Sequence, residues 1–253
     1  MTMFEEAISQ IEGAYSDLGH SLGWRFLYSP ISTLSASTRL LLVGLNPAGR
    51  EHHICRSVEK GNAYRLEKWG KEESLNALQV QIGHLFEILA RKVGQAPDGL
   101  MDSTLTSNFC PFRSPSWEEL HEKTKSIEFS RKLWSWLLPE LSPSAIICLG
   151  SDPFIHFREV LLSLGGVEHQ HRRERSEWGN VTYGESHIKL QSRDVLLLRL
   201  PHLSTYKIFT RPECAATVES FTDRIAEAML ATFGHRGQIA LELDQETLQK
   251  FRG

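Results

Sequence analysis

Asn46, Asn108 and His202 each close a short apolar run, and each stands within three residues of a proline. A carboxamide donates and accepts at once, so at such a place it can match a donor–acceptor pair on the edge of a flat ligand such as a nucleobase. Asparagine also caps turns, and on residue type alone both roles stay open. What sets the three apart is their shared position. In an open α/β sheet, ligands bind in the crevice beyond the carboxyl ends of the strands. If the three runs are strands of one parallel sheet, their polar end residues converge on one crevice.

The elements that must position them can be read from the apolar pattern. RLLLVGLNPAGR, Arg39 to Arg50, carries Leu40, Leu41, Leu42, Val43 and Leu45, the pattern of a strand buried on both faces. Asn46-Pro47-Ala48-Gly49 then ends it as a turn. A second strand is expected at about Ser103 to Phe109, a third at Ala145 to Leu149, and a fourth at Asp194 to Leu200. Helices are expected over the first twenty residues (Phe4, Ile8, Ile11, Tyr15, Leu18), over 75–93, and after a capping box at Ser116 and Glu119. A further helix is expected from Pro212 to Phe233, and a short one at Leu241 to Phe251. Residues 165–193 are polar and glycine-bearing, a surface excursion or a β-hairpin. The alternation predicts a three-layer α/β/α sandwich with a central four-stranded parallel sheet. A single domain is expected over 1–253, with insertions near 50–75 and 165–193 and a short C-terminal tail.

Composition narrows the class. The 253 residues are 41% hydrophobic and 23% charged, with a net charge of −3, values of an ordinary globular chain rather than a uniformly basic one. No apolar run reaches the length of a membrane span, and the acidic, amphipathic start MTMFEEAISQ is unlike a signal peptide, so a cytoplasmic protein is expected. Cys55, Cys110, Cys148 and Cys214 are spread without a CxxC pair, which suits free thiols. His169, His171 and His187 lack supporting carboxylate or cysteine spacing, so no metal is expected. Local basic stretches remain: Arg50, His52, His53, Arg56, Lys60, Arg65 and Lys68, with Tyr64 and Trp69 among them, and later Arg172, Arg173 and Arg175. Basic residues mixed with aromatics suit a nucleic-acid backbone and its bases, though Glu51, Glu59 and Glu67 equally fit a solvated face.

GLNPAG, SNFCPF, IICLG and PHLSTYKIF, in that order over Leu40 to Phe209, resemble the ordered motifs of the uracil-DNA glycosylase superfamily, in its GxNPG branch. The resemblance implies a monofunctional DNA glycosylase, cytoplasmic and monomeric, working on DNA without cofactor or metal. It would place Asn46 on the attacking water and His202 on the negative charge of the departing base. Asn108 would hydrogen-bond the flipped base, beside Gly44 and with Phe112, Tyr64 or Trp69 stacking on it. Pro47, Gly49, Arg50, Leu203, Ser204, Lys207, Arg172 and Arg173 would contact DNA, with Leu203 as the wedge that fills the vacated stack. The third motif in the family reads His-Pro-Ser-Pro, where this chain has His202-Leu203-Ser204-Thr205. That difference, with the two polar insertions, points to a base other than plain uracil. A modified or glucosylated cytosine of phage DNA is one such base. Two other classes remain: a base-binding relative that does not cut, and a small-molecule nucleoside or nucleotide hydrolase.

Overall fold

In the computed structural model, which describes residues 1–231, Leu40–Gly44 (β2) is buried at every position. It lies between Leu105–Asn108 (β4) and Ala145–Leu149 (β5), parallel to both. Arg193–Leu200 (β8) pairs with β5, again parallel. The sheet does not stop there. Val167–Arg175 (β6) and Thr182–Leu190 (β7) form an antiparallel hairpin whose second strand pairs with β8, so the order is β4-β2-β5-β8-β7-β6. The expected four-stranded sheet is thus the parallel part of a mixed six-stranded one. The polar stretch 165–193 reads as surface because β6 is an edge strand, and charged side chains on an edge discourage pairing with other chains.

Alternate residues of the parallel strands supply two apolar layers, as the twofold period of a strand requires. Leu41, Val43, Leu105, Ile146, Cys148 and Leu197 pack under Met3–Asp17 (α1), Lys123–Leu141 (α5) and Ser151–Ser163 (α6). Leu40, Leu42, Ile147, Leu196 and Leu198 pack under Ala77–Val93 (α3), Pro97–Ser103 (α4) and the helix over 215–231 (α7). Fully burying one such side chain is worth about 1.5–3 kcal/mol.

Two local expectations shift. Ser116 does bond the Glu119 N–H at 3.3 Å, but the pair closes an isolated turn, and α5 begins only at Lys123. Pro97 opens α4, because a first-turn proline gives up an N–H that has no helical partner anyway. The stripe of α7 runs through Val218, Phe221, Ile225 and Met229, leaving Ala216 exposed. The expected helix at Leu241 to Phe251 lies outside the described residues. Within 50–75, His53–Cys55 (β3) pairs in parallel with Gly23–Arg25 (β1), and Ala63–Leu66 forms a short helix, α2.

Registers align the strand ends. Gly44 sits opposite Asn108, Val43 opposite Cys148, and Leu149 opposite Leu200. The chain therefore leaves β2, β4, β5 and β8 at one level, and the segments that follow share one edge.

Candidate functional site

A cleft of about 710 Å³ opens at that edge, within the usual range for a small-molecule pocket. Asn46, Asn108 and His202 all line it, as do Gly44 and Tyr64.

The Asn46 loop is zipped to the segment after β4. Gly49 N–H donates to Ser114 O at 3.1 Å, and Ser114 N–H donates to Pro47 O at 3.2 Å. Asn46 Nδ2 donates to Ser114 Oγ at 2.7 Å and, more weakly, to Phe112 O at 3.3 Å. With its nitrogen committed, the carboxamide has its oxygen left to accept a further hydrogen bond.

Asn108 is buried, and its Nδ2 donates to Tyr28 Oη at 2.9 Å. Gly44 makes this possible, since a Cβ there would lie 2.1 Å from Asn108 Oδ1. Tyr28 is held in turn. The Arg25 guanidinium lies 3.9 Å over its ring, and Arg25 forms a two-pronged ion pair with Glu67 at 2.9 and 2.6 Å. Glu67 also accepts from Trp69 Nε1 at 2.8 Å. Trp69 packs edge-on against Tyr64, ring centres 4.9 Å apart, and Tyr64 stacks on Tyr28 at 5.8 Å. Burial pushes the Tyr64 phenol well above its ordinary range, and the Tyr28 phenol upward too, so both stay neutral donors at any working pH. Burial works against the Glu67 carboxylate, but the bond and charge of Arg25 outweigh it and hold its pKa below the ordinary value.

His202 belongs to a different kind of structure. It is exposed, on a turn closed by the Thr205 and Tyr206 N–H groups donating to His202 O, both at 2.9 Å. Its Nδ1 is 2.6 Å from Ser204 Oγ, which leaves Nε2 free to address a ligand.

Two expected roles need correcting. Phe112 is fully buried and stacks on His20 at 4.1 Å in the core beneath α1 and α5, away from the cleft, so it cannot stack on a ligand there. Leu203 is also fully buried, packed with the α7 side of the core, and a wedge must be exposed. Exposed Tyr206 lines the cleft and packs edge-on against Trp178. Arg50 reaches toward Glu119 at 3.9 Å on the exposed outer side of its loop, and exposed Lys207 stands outside the cleft lining. Ser204 lines the cleft, whereas buried Pro47 supports its loop from beneath. Arg172 pairs across the hairpin with Glu185, on the face opposite Arg173.

The sequence reading missed Tyr28, Arg25, Ser114 and Arg199. Arg25 and Tyr28 lie in GWRFLYSP, which reads as the lead-in to a strand, and Ser114 lies in RSPSWEEL, which reads as a helix start. Arg199 did leave a signal, a charge near the end of the otherwise apolar VLLLRL. Among the described residues, no group of three histidine, cysteine or acidic side chains is placed to hold a metal ion, and no helix is long and apolar enough to cross a membrane. No protein-family model matches the chain, and a comparison with curated proteins finds no match.

Proposed function

We propose that the chain is a DNA glycosylase that extrudes a uracil-like or modified pyrimidine and hydrolyses its N-glycosidic bond. The observation that carries the reading is the placement of Asn46, Asn108 and His202 around one cleft at the carboxyl ends of the parallel strands. The base would lie against the Tyr64 wall, with the Asn108 carboxamide on its polar edge. As the bond from the sugar C1′ to the base nitrogen breaks, its electron pair leaves with the base, and the charge spreads to the base's carbonyl oxygens. A hydrogen bond from His202 Nε2–H stabilises that anion, the kind of contact that carries most of the catalysis in such cleavages. A water that donates a hydrogen bond to Asn46 Oδ1 gives its lone pair to C1′, and the new C–O bond replaces the broken bond to the base. An amide cannot deprotonate it, so Asn46 positions the water and the proton is lost to solvent after attack.

The test is base release from DNAs containing uracil, hypoxanthine, thymine mismatches, hydroxymethyluracil, and hydroxymethylated or glucosylated cytosine. Abasic sites should appear with one substrate and vanish in both Asn46→Ala and His202→Ala. Tight, salt-sensitive DNA binding without release from any substrate would replace the enzyme reading with that of a base-binding protein.

A further inference from the structure

The cleft has a second wall that the base-handling residues do not use. Arg199, three residues before His202, points from β8 across β7 at a position where β7 carries Gly184, and a Cβ there would stand only 3.2 Å from Arg199 Nε. Arg173 of β6 pairs with the same Gly184, so both arginines stand on one face of the hairpin with only a glycine between them. Both also reach one hydroxyl. Arg199 Nη2 donates to Thr182 Oγ1 at 2.9 Å, and Arg173 Nε donates to it at 3.2 Å. Arg199 and Thr182 line the cleft.

Four other sheltered arginines hold carboxylates: Arg25 with Glu67, Arg65 with Asp102, Arg158 with Glu168, and Arg224 with Glu185. Among the described residues, Arg173 and Arg199 form no ion pair, although Asp152 lines the same cleft. Two like charges drawn together, one of them half-buried, destabilise the empty site and favour any anion that enters. Burial and the neighbouring Arg173 both push the Arg199 guanidinium pKa down. The amino end of α6, from Ser151, opens on the same cleft and adds its partial positive charge.

We propose that Arg199, Arg173 and the Thr182 hydroxyl form a phosphate subsite. It takes a phosphate ester of the nucleotide whose base lies among Asn46, Asn108 and His202. The inference rests on the nucleotide reading of the cleft. It assigns the hairpin added to the parallel sheet a purpose, namely to carry a guanidinium pair to the edge of the base pocket. A planar fork suits a phosphate's oxygens better than a point charge does. Two sources share this chemistry, a backbone phosphodiester and the monoester of a free nucleotide.

The experiment is equilibrium binding by the full chain of two probes, over about 50–200 mM salt, the range in which phosphate contacts reveal themselves. One probe is an oligonucleotide with a central tetrahydrofuran abasic analogue; the other is deoxyuridine 5′-monophosphate. The variants are Arg199→Gln, Arg199→Lys and Arg173→Gln, the last at an exposed position where folding is not at stake. Both glutamine variants should weaken oligonucleotide binding about 5- to 20-fold, and each should lower the salt slope by about one. Lysine at 199 should keep the slope and recover only part of the affinity. Oligonucleotide affinity and slope within twofold of wild type in Arg173→Gln and in folded Arg199→Gln would overturn the subsite while leaving the glycosylase reading standing. Wild-type binding of the monophosphate alone, weakened by the same variants, would uphold the subsite and overturn the DNA reading. Binding of neither probe by the wild type would overturn both.

Discussion

The two sides of the cleft are built by opposite means. On the β2–β4 side, Asn46 and Asn108 are tied by their amide nitrogens to Ser114 and Tyr28, and Tyr28 is clamped by Arg25, Glu67, Trp69 and Tyr64. On the β8 side, His202 rides on an exposed turn with one side-chain partner, Ser204. A site benefits from rigidity where geometry must be exact to a fraction of an ångström, as in placing a water or reading a base edge. It benefits from openness where a bulky chain must enter and leave. The contrast teaches that function and stability should separate by side. Damage to the tied side should cost both, whereas damage to the open side should cost activity alone.

The largest effect should come from the open side. His202→Ala should lower base release by about 10²–10³-fold, the loss seen when one donor to a developing anion is removed. Its urea midpoint should match wild type, because the side chain is exposed and its removal uncovers no buried group. A large shift in the midpoint would mean that the turn is part of the structural core, and the contrast between the sides would fail.

On the tied side, Asn108→Ala should do two things at once. It should lower release by about 10–10²-fold, the scale of a lost base-edge contact, and it should destabilise the fold by about 1–3 kcal/mol, because the buried Tyr28 hydroxyl loses its partner. Gly44→Ala should produce the same functional loss from the other direction, since its Cβ would displace Asn108 Oδ1. Chemical denaturation beside the release assay checks both. An Asn108→Ala protein with wild-type stability would show that the Tyr28 contact does not tie that side down.

The same contrast explains what could be read from the sequence. The parallel strands were legible because a strand buried on both faces must be a continuous apolar run, and Leu40–Gly44 and Ala145–Leu149 are such runs. Asn46, Asn108 and His202 were legible because they break those runs at their carboxyl ends. The hairpin was ambiguous because an exposed edge strand lacks apolar alternation, and β6 carries His169, His171, Arg172, Arg173 and Arg175 instead. The clamp behind Asn108 was not legible at all. Arg25 and Glu67 lie far apart in sequence, and nothing local marks a charged pair that only tertiary structure brings together. Phe112 and Leu203 show the converse error. Both sit inside suggestive motifs, and both are core residues, because the chain around a site must also be anchored.

Acid should act mainly through neither side of the cleft but through the core beneath α1 and α5. His20 is buried against Phe112, near His121 and Glu122, and its Nε2 lies 3.0 Å from Ser126 Oγ. Burial first, and then His121, depress its pKa from 6.5 to about 4, against a small opposing effect of Glu122. Above pH 6.5 the ring is neutral in folded and unfolded chains alike. As pH falls from 6.5 toward about 4, the unfolded chain takes up a proton that the folded one refuses, so stability drops through that window. The loss by pH 5 should be about 1–2 kcal/mol. His20→Gln should flatten this part of the stability–pH curve. An unchanged curve would place the acid sensitivity elsewhere.

The smallest effect tests whether the open side is wholly unsupported. Ser204→Ala removes the hydroxyl beside His202 Nδ1, so the imidazole loses its orienting contact but keeps its Nε2. Release should fall about three- to tenfold, the scale of one hydrogen bond of about 1 kcal/mol, with stability unchanged because Ser204 is exposed. Ser204→Thr should restore most of the rate, since it returns the hydroxyl to the same reach. A fall in rate that threonine does not rescue would mean that the serine acts through the shape of the turn. The imidazole would then be oriented by the ligand itself, which would make the two sides of the cleft even less alike.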